Sequence, residues 1–159
     1  MTAKSEPCEW TRDAFLVSAN PDRLDVHAIH AFLSTSYWAA GIPLTVVERA
    51  LRNSLCVGLY DTSKEGAPQI GLARLVTDRA TFAYLCDVYV QPEYRERGLG
   101  RWMMDCCMTH PDLQGLRRFN LVTRDAHGLY APLGFRAIAH PDRYMEKLDP
   151  DVYKRTASA

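Results

Sequence analysis

The sequence of 159 residues has neither an excess of one charge nor a long apolar run. Lys plus Arg and Asp plus Glu both number 19, so nothing favours sequence-independent binding to nucleic acid or to an anionic membrane. No apolar run approaches the ~20 residues of a membrane-spanning helix, and the N-terminal MTAKSEPCEW lacks the apolar core of a signal peptide. We therefore expect a soluble, cytoplasmic protein that binds neither nucleic acid nor membrane.

Paired cysteine motifs and the common glycine-rich nucleotide motifs are also missing. The five cysteines contain no C-x-x-C spacing, and Cys106 and Cys107 are adjacent, which favours buried thiols over disulfides or a zinc site. We therefore expect no structural metal. Neither G-x-x-x-x-G-K-[ST] nor G-x-G-x-x-G occurs, so the two standard phosphate-binding fingerprints are excluded.

No linker or low-complexity stretch divides the chain, which predicts a single domain over 1–159 with flexible tails at about 1–11 and 149–159. Apolar runs bounded by turn residues predict strands, and a helical apolar period predicts helices. The predicted strands are 14–19, 55–60, 69–76, 81–90 and 118–123, followed by a closing hairpin of 135–139 and 144–148. Helices are predicted at about 25–35, from 44 onward, from about 98 to 110, and at 127–133.

The most informative stretch runs from Asp87 to Asp105 and reads DVYVQPEYRERGLGRWMMD. The predicted strand ends before Pro92, and an amphipathic helix begins near Gly98. The turn between them contains two glycines, so its backbone N–H groups can approach an anion at the positive end of the helix dipole. The pattern predicts a phosphate-binding turn, and the alternative is an ordinary strand-to-helix turn with solvated arginines.

Asp87 is unusual because it interrupts an apolar strand. Simple alternation places it on the face of Tyr89 and opposite Val88 and Val90, provided that no bulge interrupts the strand. A carboxylate in such a position pairs with a cation, reaches water or takes part in chemistry. Pairing with an arginine such as Arg74 on the preceding strand is the structural alternative to a catalytic role.

Two motifs in this chain resemble those of the GNAT N-acetyltransferase superfamily. Val88 to Gly100 contains V-x-V-x-P followed by R-x-x-G-x-G and a helix, and 128–135 (GLYAPLGF) resembles the family's L-Y-x-x-x-G-F segment. Both lie in the family's order and cover roughly the second half of the chain. Thr123 stands where the family often has asparagine, and Pro132 is unusual within the second motif. The resemblance implies an α/β (α+β) fold with a mixed, mostly antiparallel twisted sheet of six to seven strands, a parallel splayed central pair and flanking helices.

The resemblance also implies a reaction, the transfer of an acetyl group from acetyl-CoA to a primary amine of a small molecule or protein by direct attack. Tyr130 would then be the acid for the leaving thiolate, and the backbone N–H of Val90 would be the oxyanion donor. Asp87 is the candidate base, although Tyr84 stands at another position where family members place their base. The alternative is a non-catalytic acyl-CoA-binding regulatory module.

The implied binding residues fall into two groups. Tyr37 and Trp38 lie in a loop between helices and either cover the core or line a substrate entrance with Asp87 and Tyr89, where an amine would find cation–π contacts and a counter-charge. The acceptor amine, the base, the acyl-chain preference and the choice between monomer and homodimer stay open. The implied coenzyme contacts are Val88, Val90, Arg95, Glu96, Arg97, Gly98, Leu99, Gly100, Arg101 and Tyr130.

Overall fold

The structure, a computed structural model, describes residues 6–156 and contains a six-stranded sheet whose strands follow one another in chain order. Consecutive strands from β1 to β5 are antiparallel, and β6 is parallel to β5. The predicted mixed, mostly antiparallel sheet is therefore confirmed. The strands are β1 Glu9–Arg12, β2 Phe15–Ser18, β3 Leu55–Asp61, β4 Gln69–Thr77, β5 Phe82–Val90 and β6 Arg118–Leu121.

Five α-helices flank this sheet within the described residues, and their starts follow from local sequence. Asp25 caps the first helix, because its carboxylate accepts the N–H of Ala28 at 3.0 Å. Gly98 precedes the third helix with a left-handed φ of +71°, which a residue without Cβ adopts at little cost. The helices are α1 Val26–Leu33, α2 Leu44–Arg52, α3 Leu99–Met108, α4 His127–Tyr130 and α5 Val152–Thr156.

Two hydrophobic clusters occupy the two faces of the sheet. One packs α3, including Met103, against Val57 and Leu85, and the other packs α1 and α2 against Leu72 and Tyr89. Burying one such side chain contributes about 1.5–3 kcal/mol. The third strand and β4 are buried almost throughout, so the sheet forms a rigid layer between the helices. No helix among residues 6–156 has the length and apolarity needed to cross a membrane.

A β-bulge interrupts β5 at Asp87. Leu72 pairs with Tyr89 and Arg74 pairs with Cys86, so two residues of β5 lie opposite one of β4. Asp87 takes a φ of +52° there. The extra residue reverses the alternation beyond it, and Val88 packs with the α3 cluster while Tyr89 joins the α1–α2 cluster. The prediction of simple alternation through Val90 is wrong for this reason.

The parallel pair separates towards its carboxyl end. Pairing runs from Phe82 opposite Arg118 to Leu85 opposite Leu121, where β6 ends while β5 continues to Val90. The separation opens a cleft at the carboxyl ends of the strands, where open α/β sheets bind ligands. The pair lies at the edge of the described sheet and not at its centre.

The chain ends differ from prediction. The expected closing hairpin is wrong, since 135–139 and 144–148 form no strand and residues 136–150 are all exposed. A strand forms at Glu9–Arg12, where a frayed end was expected, because this segment pairs antiparallel with β2; the Glu9 carboxylate also accepts bonds from Ser18 and Arg23. The short helix α5 lies within the predicted C-terminal tail. The tail predictions for 1–5 and 157–159 lie outside the described residues.

Candidate active site

The cleft between β5 and β6 has a volume of about 400 Å³. Three segments that are distant in the sequence line it, namely the loop between α1 and α2, the second half of β5, and the chain from the end of β6 into α4. The strand ends are fixed by the sheet, and the two loops cover the opening between them. The lining residues include Tyr37, Trp38, Tyr84, Asp87, Val88, Arg124, Asp125 and Tyr130.

Tyr130 ends α4 and is 7% exposed. Burial raises the pKa of its phenol to about 12, so the hydroxyl is protonated at neutral pH. Pro132 shortens the predicted helix, and a 3₁₀ turn at Ala131–Leu133 follows Tyr130. Among residues 6–156, no side chain or backbone group forms a hydrogen bond with this hydroxyl. Tyr130 therefore brings an available O–H donor to the cleft.

The Asp87 carboxylate accepts hydrogen bonds from two side chains at the cleft, Arg74 and Trp38. The Arg74 Nε donates to Asp87 Oδ2 at 2.7 Å, and the Trp38 Nε1 donates to Oδ1 at 2.9 Å. Arg74 also donates from Nη1 to Ser54 Oγ at 3.0 Å. The Arg74 and Asp87 side chains are 18% and 10% exposed, so the ion pair is largely withdrawn from water. The predicted pairing with Arg74 is confirmed.

Arg124 closes the opposite side of the cleft. Its guanidinium lies 3.9 Å from the ring centroid of Tyr37, and its Nη2 lies 3.7 Å from the carboxylate of Asp125. Tyr37 meets Trp38 edge to face with ring centroids 5.0 Å apart. These contacts join the loop between α1 and α2 to the loop after β6. Sequence reasoning missed Arg124, since nothing local marks a stacking partner 87 residues from Tyr37.

Tyr89 does not line the cleft. Its ring is 5% exposed and stacks on Phe32 with centroids 3.8 Å apart, inside the α1–α2 cluster. Beyond the bulge at Asp87, Val88 packs with the α3 cluster and Tyr89 with the α1–α2 cluster. This placement argues against the expected contact between Tyr89 and a substrate, whereas Tyr37, Trp38 and Asp87 do come together.

The predicted phosphate-binding turn leads directly into α3. The first helical bond runs from the N–H of Trp102 to the carbonyl of Gly98 at 3.0 Å, so the N–H groups of the first turn have no partner within the helix. Gly98 provides no side-chain cap. A Cβ at Gly100 would lie 3.5 Å from Val90 Cγ2, which shows how closely this turn approaches the end of β5. The geometry fits an anion at the helix N-terminus.

Three arginines surround this turn, and a guanidinium, which only donates, does not compete with an anion for the N–H groups of the turn. Arg95 Nε donates to the carbonyl of Val90 at 3.0 Å, and Arg97 lies over the ring of Tyr94. Arg12, on β1, lies over Trp102 and donates to the carbonyl of Arg97 at 3.5 Å. Sequence reasoning missed Arg12 because it expected no strand there. Asp13-Ala14 is the only turn signal in this hairpin, and it lacks the usual glycine.

Of the remaining residues predicted to contact the coenzyme, Leu99 is buried, whereas Glu96 and Arg101 are exposed. Leu99 is 2% exposed in the α3 cluster, so its backbone alone faces the turn. Glu96 has a φ of +64° and an exposed side chain. Arg101 pairs with Asp105 at 3.2 Å along the exposed side of α3.

The N–H of Val90 is not used in the pairing of β5 with β4. Gln91 donates its N–H to Ile70 on the β4 side at 2.7 Å. Because successive N–H groups of an extended strand point in opposite directions, the N–H of Val90 points away from β4 and towards β6. The pairing of β6 with β5 has already ended at Leu121. Within residues 6–156, no group of three or more His, Cys, Asp or Glu side chains is arranged to hold a metal ion.

A strand, a glycine-bearing turn and a helix beside a separated parallel pair form the arrangement that the motif resemblance implies for an acyltransferase. The family model described as an acetyltransferase (GNAT) domain matches residues 53–137. The chain therefore belongs to the GNAT acetyltransferase family, as its motifs predicted.

Relatives agree with this assignment. The protein named Putative acetyltransferase FG08082 of Gibberella zeae is 39% identical, with 79% of this chain and 81% of that protein covered. The crystal structure of a GNAT-family protein from Xanthomonas campestris pv. campestris is 47% identical with a TM-score of 0.83, covering 90% of this chain and 99% of that one. A Clostridium acetobutylicum structure with acetyl-CoA is 17% identical with a TM-score of 0.59, covering 84% and 94%. It shares the fold.

Proposed function

We propose that this protein transfers an acetyl group from acetyl-CoA to a primary amine of a small molecule or protein by direct attack. The observation that carries the proposal is the cleft itself. Asp87 and the unpartnered phenol of Tyr130 line it, and the strand that forms its floor, β5, continues through Val90 to the turn before the uncapped N-terminus of α3. An anion-binding turn alone would suit many ligands, but this combination suits acyl transfer.

The first turn of α3 would hold the pyrophosphate of the coenzyme. Its free N–H groups provide directed donors, and the helix dipole favours negative charge at that end. Arg12, Arg95 and Arg97 add positive charge around the turn. Val88 and Val90, which lead to this turn along β5, would flank the pantetheine arm. The Clostridium acetobutylicum protein that shares this fold was solved with acetyl-CoA, which supports the assignment.

Bound acetyl-CoA supplies an activated thioester for attack by the amine. In our proposal, the Val90 N–H stabilises the negative charge that develops on the carbonyl oxygen. Asp87 would accept the amine proton, directly or through water, because a carboxylate has about four acceptor sites and only two here are occupied. Trp38 and Tyr37 would contact the amine-bearing part of the acceptor.

Tyr130 would donate a hydrogen bond to the departing sulfur. Its pKa of about 12 lies above the ~8.5 of a free thiol, so complete proton transfer to a thiolate is unfavourable by several kcal/mol. A phenol that keeps its proton is nevertheless a good donor in a site withdrawn from water. We therefore assign Tyr130 the stabilisation of the leaving thiolate through its O–H.

A thiol-release assay with acetyl-CoA and a panel of polyamines, arylalkylamines, amino acids, aminoglycosides and lysine peptides tests the proposal. Tyr130→Phe should lower kcat by about tenfold or more, with little change in coenzyme affinity. The matched control is Tyr60→Phe, which removes a buried hydroxyl outside the cleft. Full activity of Tyr130→Phe at every pH would refute the role of its hydroxyl.

The second candidate is a non-catalytic acyl-CoA-binding module, favoured by the fact that Arg74 and Trp38 already occupy Asp87. Both candidates predict that acetyl-CoA stabilises the protein, by about 2.7 kcal/mol at a hundred times Kd. Thiol release separates them. Stabilisation without release above background for any amine would favour the binding module, and absence of stabilisation would contradict both.

A further inference from the structure

Arg124 brings a positive charge and unused N–H donors to the cleft that it lines. Among residues 6–156, its guanidinium makes an ion pair and a ring contact but no hydrogen bond. The ion-pair partner, the carboxylate of Asp125, lies 3.7 Å away, which is beyond hydrogen-bond distance, and both side chains are mostly exposed. An exposed pair of this kind contributes little. The guanidinium therefore keeps its capacity to bind an anion.

The contacts that Arg124 does make hold it in place without using its donors. Its guanidinium lies 3.9 Å from the ring centroid of Tyr37, which in turn meets Trp38 edge to face. On its N-terminal side, Thr123 Oγ1 accepts the N–H of Ala126 at 2.9 Å, which orders the turn from β6 into α4. A guanidinium stacked on a ring keeps its N–H edge free. That edge matches the oxygens of a carboxylate or a phosphate, and an ordered side chain loses little entropy on binding.

Arg124 lies at the outer end of the cleft and Asp87 at its inner end, with side chains 64% and 10% exposed. Among the described residues that line the cleft, Arg124 alone is a cation. Arg74 already neutralises Asp87 at 2.7 Å. The Trp38 and Tyr37 side chains connect the two ends through their contacts. A simple alkylammonium ion would meet the weakly paired charge of Arg124 on entering, and like charges repel. An acceptor with an anion of its own would offset that charge.

We propose that the acceptor is an amine that also carries a carboxylate or phosphate group, and that Arg124 binds this acidic group while the amine lies near Asp87. The inference rests on the proposed acetyl transfer and adds the class of acceptor to it. Arg124 is then a specificity-determining residue, because an acceptor without the acidic group leaves its guanidinium without a partner. The N-acetyl product keeps the acidic group, so it should bind to the same residue and compete with the acceptor.

Matched pairs of acceptors test the contact in the thiol-release assay. Each ω-amino acid, from β-alanine upward in chain length, is compared with its own amide, and each aminoalkyl phosphate with its own alcohol. The members of a pair share the amine and the chain and differ in the charge at the far end. At the chain length that spans the cleft, kcat/KM should be at least about tenfold higher for the acidic member, mainly through KM. The two series distinguish a carboxylate from a phosphate.

Variants of Arg124 connect this preference to one side chain. Arg124→Gln should bring the ratio of kcat/KM values within a pair close to one. Arg124→Lys should keep part of the preference, because an ammonium retains the charge but not the paired donors. Arg49→Gln is the matched control, since it removes an exposed arginine of α2 that does not line the cleft, and the ratio should keep its wild-type value. Calorimetry with coenzyme A present repeats each comparison without turnover.

The inference is overturned by equal values for the acidic and neutral members at every chain length, or by a preference that Arg124→Gln retains. It is also overturned if Arg124→Gln weakens acetyl-CoA binding as much as it weakens binding of the acid, since Arg124 would then contact the coenzyme. Absence of thiol release with every acceptor contradicts the proposed transfer instead. The calorimetric comparison of acid with amide then still decides whether Arg124 binds the acidic group.

Discussion

Asp87→Asn tests the ion pair beneath the cleft. The substitution removes one charge from a pair whose side chains are 18% and 10% exposed, and it leaves the Arg74 guanidinium without its counter-ion. Removing one partner of a buried pair costs about 3–5 kcal/mol. Asparagine keeps one oxygen that can accept from Arg74 or Trp38, so we expect a loss of about 2–3 kcal/mol. For a chain of this size, that corresponds to a fall of about 5–10 °C in Tm.

The assay is chemical and thermal unfolding of three variants beside wild type. Asp125→Asn is the matched control, because Asp125 lines the same cleft but is 68% exposed and lies 3.7 Å from its arginine. We expect it to change stability by no more than about 0.5 kcal/mol. The double variant Arg74→Met with Asp87→Asn removes the unpaired charge, keeps a residue that tolerates positive φ at position 87, and should recover part of the loss.

Equal stability of Asp87→Asn and Asp125→Asn would refute the reasoning, since the buried Arg74 guanidinium would then lose its counter-ion without a loss of stability. The same variant addresses catalysis when it is assayed below its Tm. If Asp87 accepts the amine proton, Asp87→Asn should lose the ionisation that limits kcat/KM at low pH. An unchanged pH profile with a lower Tm would leave Asp87 a structural role only.

The other predictions concern backbone, burial and pH. Gly98→Val places a β-branched residue at φ +71° and should weaken acetyl-CoA binding by at least about tenfold in calorimetry, more than Gly98→Asn does. Equal affinities of the two variants would contradict the role of the phosphate-binding turn. Gly71→Ala puts a Cβ 2.8 Å from the carbonyl oxygen of Tyr89 and should lower the free energy of unfolding in urea by about 1–3 kcal/mol. An unchanged free energy of unfolding would show that β4 and β5 move apart without cost. Burial lowers the pKa of His110, so the unfolded chain binds more protons and stability should fall as the pH drops below about 6.5. His110→Asn should keep the bond to the N–H of Asp112 and flatten that dependence in unfolding at several pH values.

Local pattern predicted much of the fold. Asp25 before an apolar helical period predicted α1, and the glycines near Arg97 predicted where α3 begins. The strand at Glu9–Arg12 was missed, because four mostly exposed residues carry no apolar alternation. The closing hairpin was predicted from apolar runs that the structure leaves unpaired, which shows that β-propensity does not provide a partner strand.

The candidate site was predictable where a motif or a single strand determines it. Tyr130 and the turn at Gly98 follow from their motifs, and Asp87 was singled out because it interrupts an apolar strand. The contact of Trp38 with Asp87 joins residues 49 positions apart, so it depends on how the loop packs against the sheet. Arg12 depends likewise on an unpredicted hairpin. Long-range placement of this kind leaves no local pattern to detect.

The bulge at Asp87 determines both the contacts of the Asp87 carboxylate and the direction of the Val90 N–H. One extra residue carries the Asp87 carboxylate to the side of Arg74 and Trp38, and the same shift in alternation directs the N–H of Val90 away from β4. A non-glycine residue at positive φ costs free energy of order 1–3 kcal/mol unless its surroundings hold it there. The two hydrogen bonds of Asp87 provide that hold. Weakening them should therefore disturb both the loop between α1 and α2 and Val90, the proposed oxyanion donor, so kcat and KM should change together and not separately.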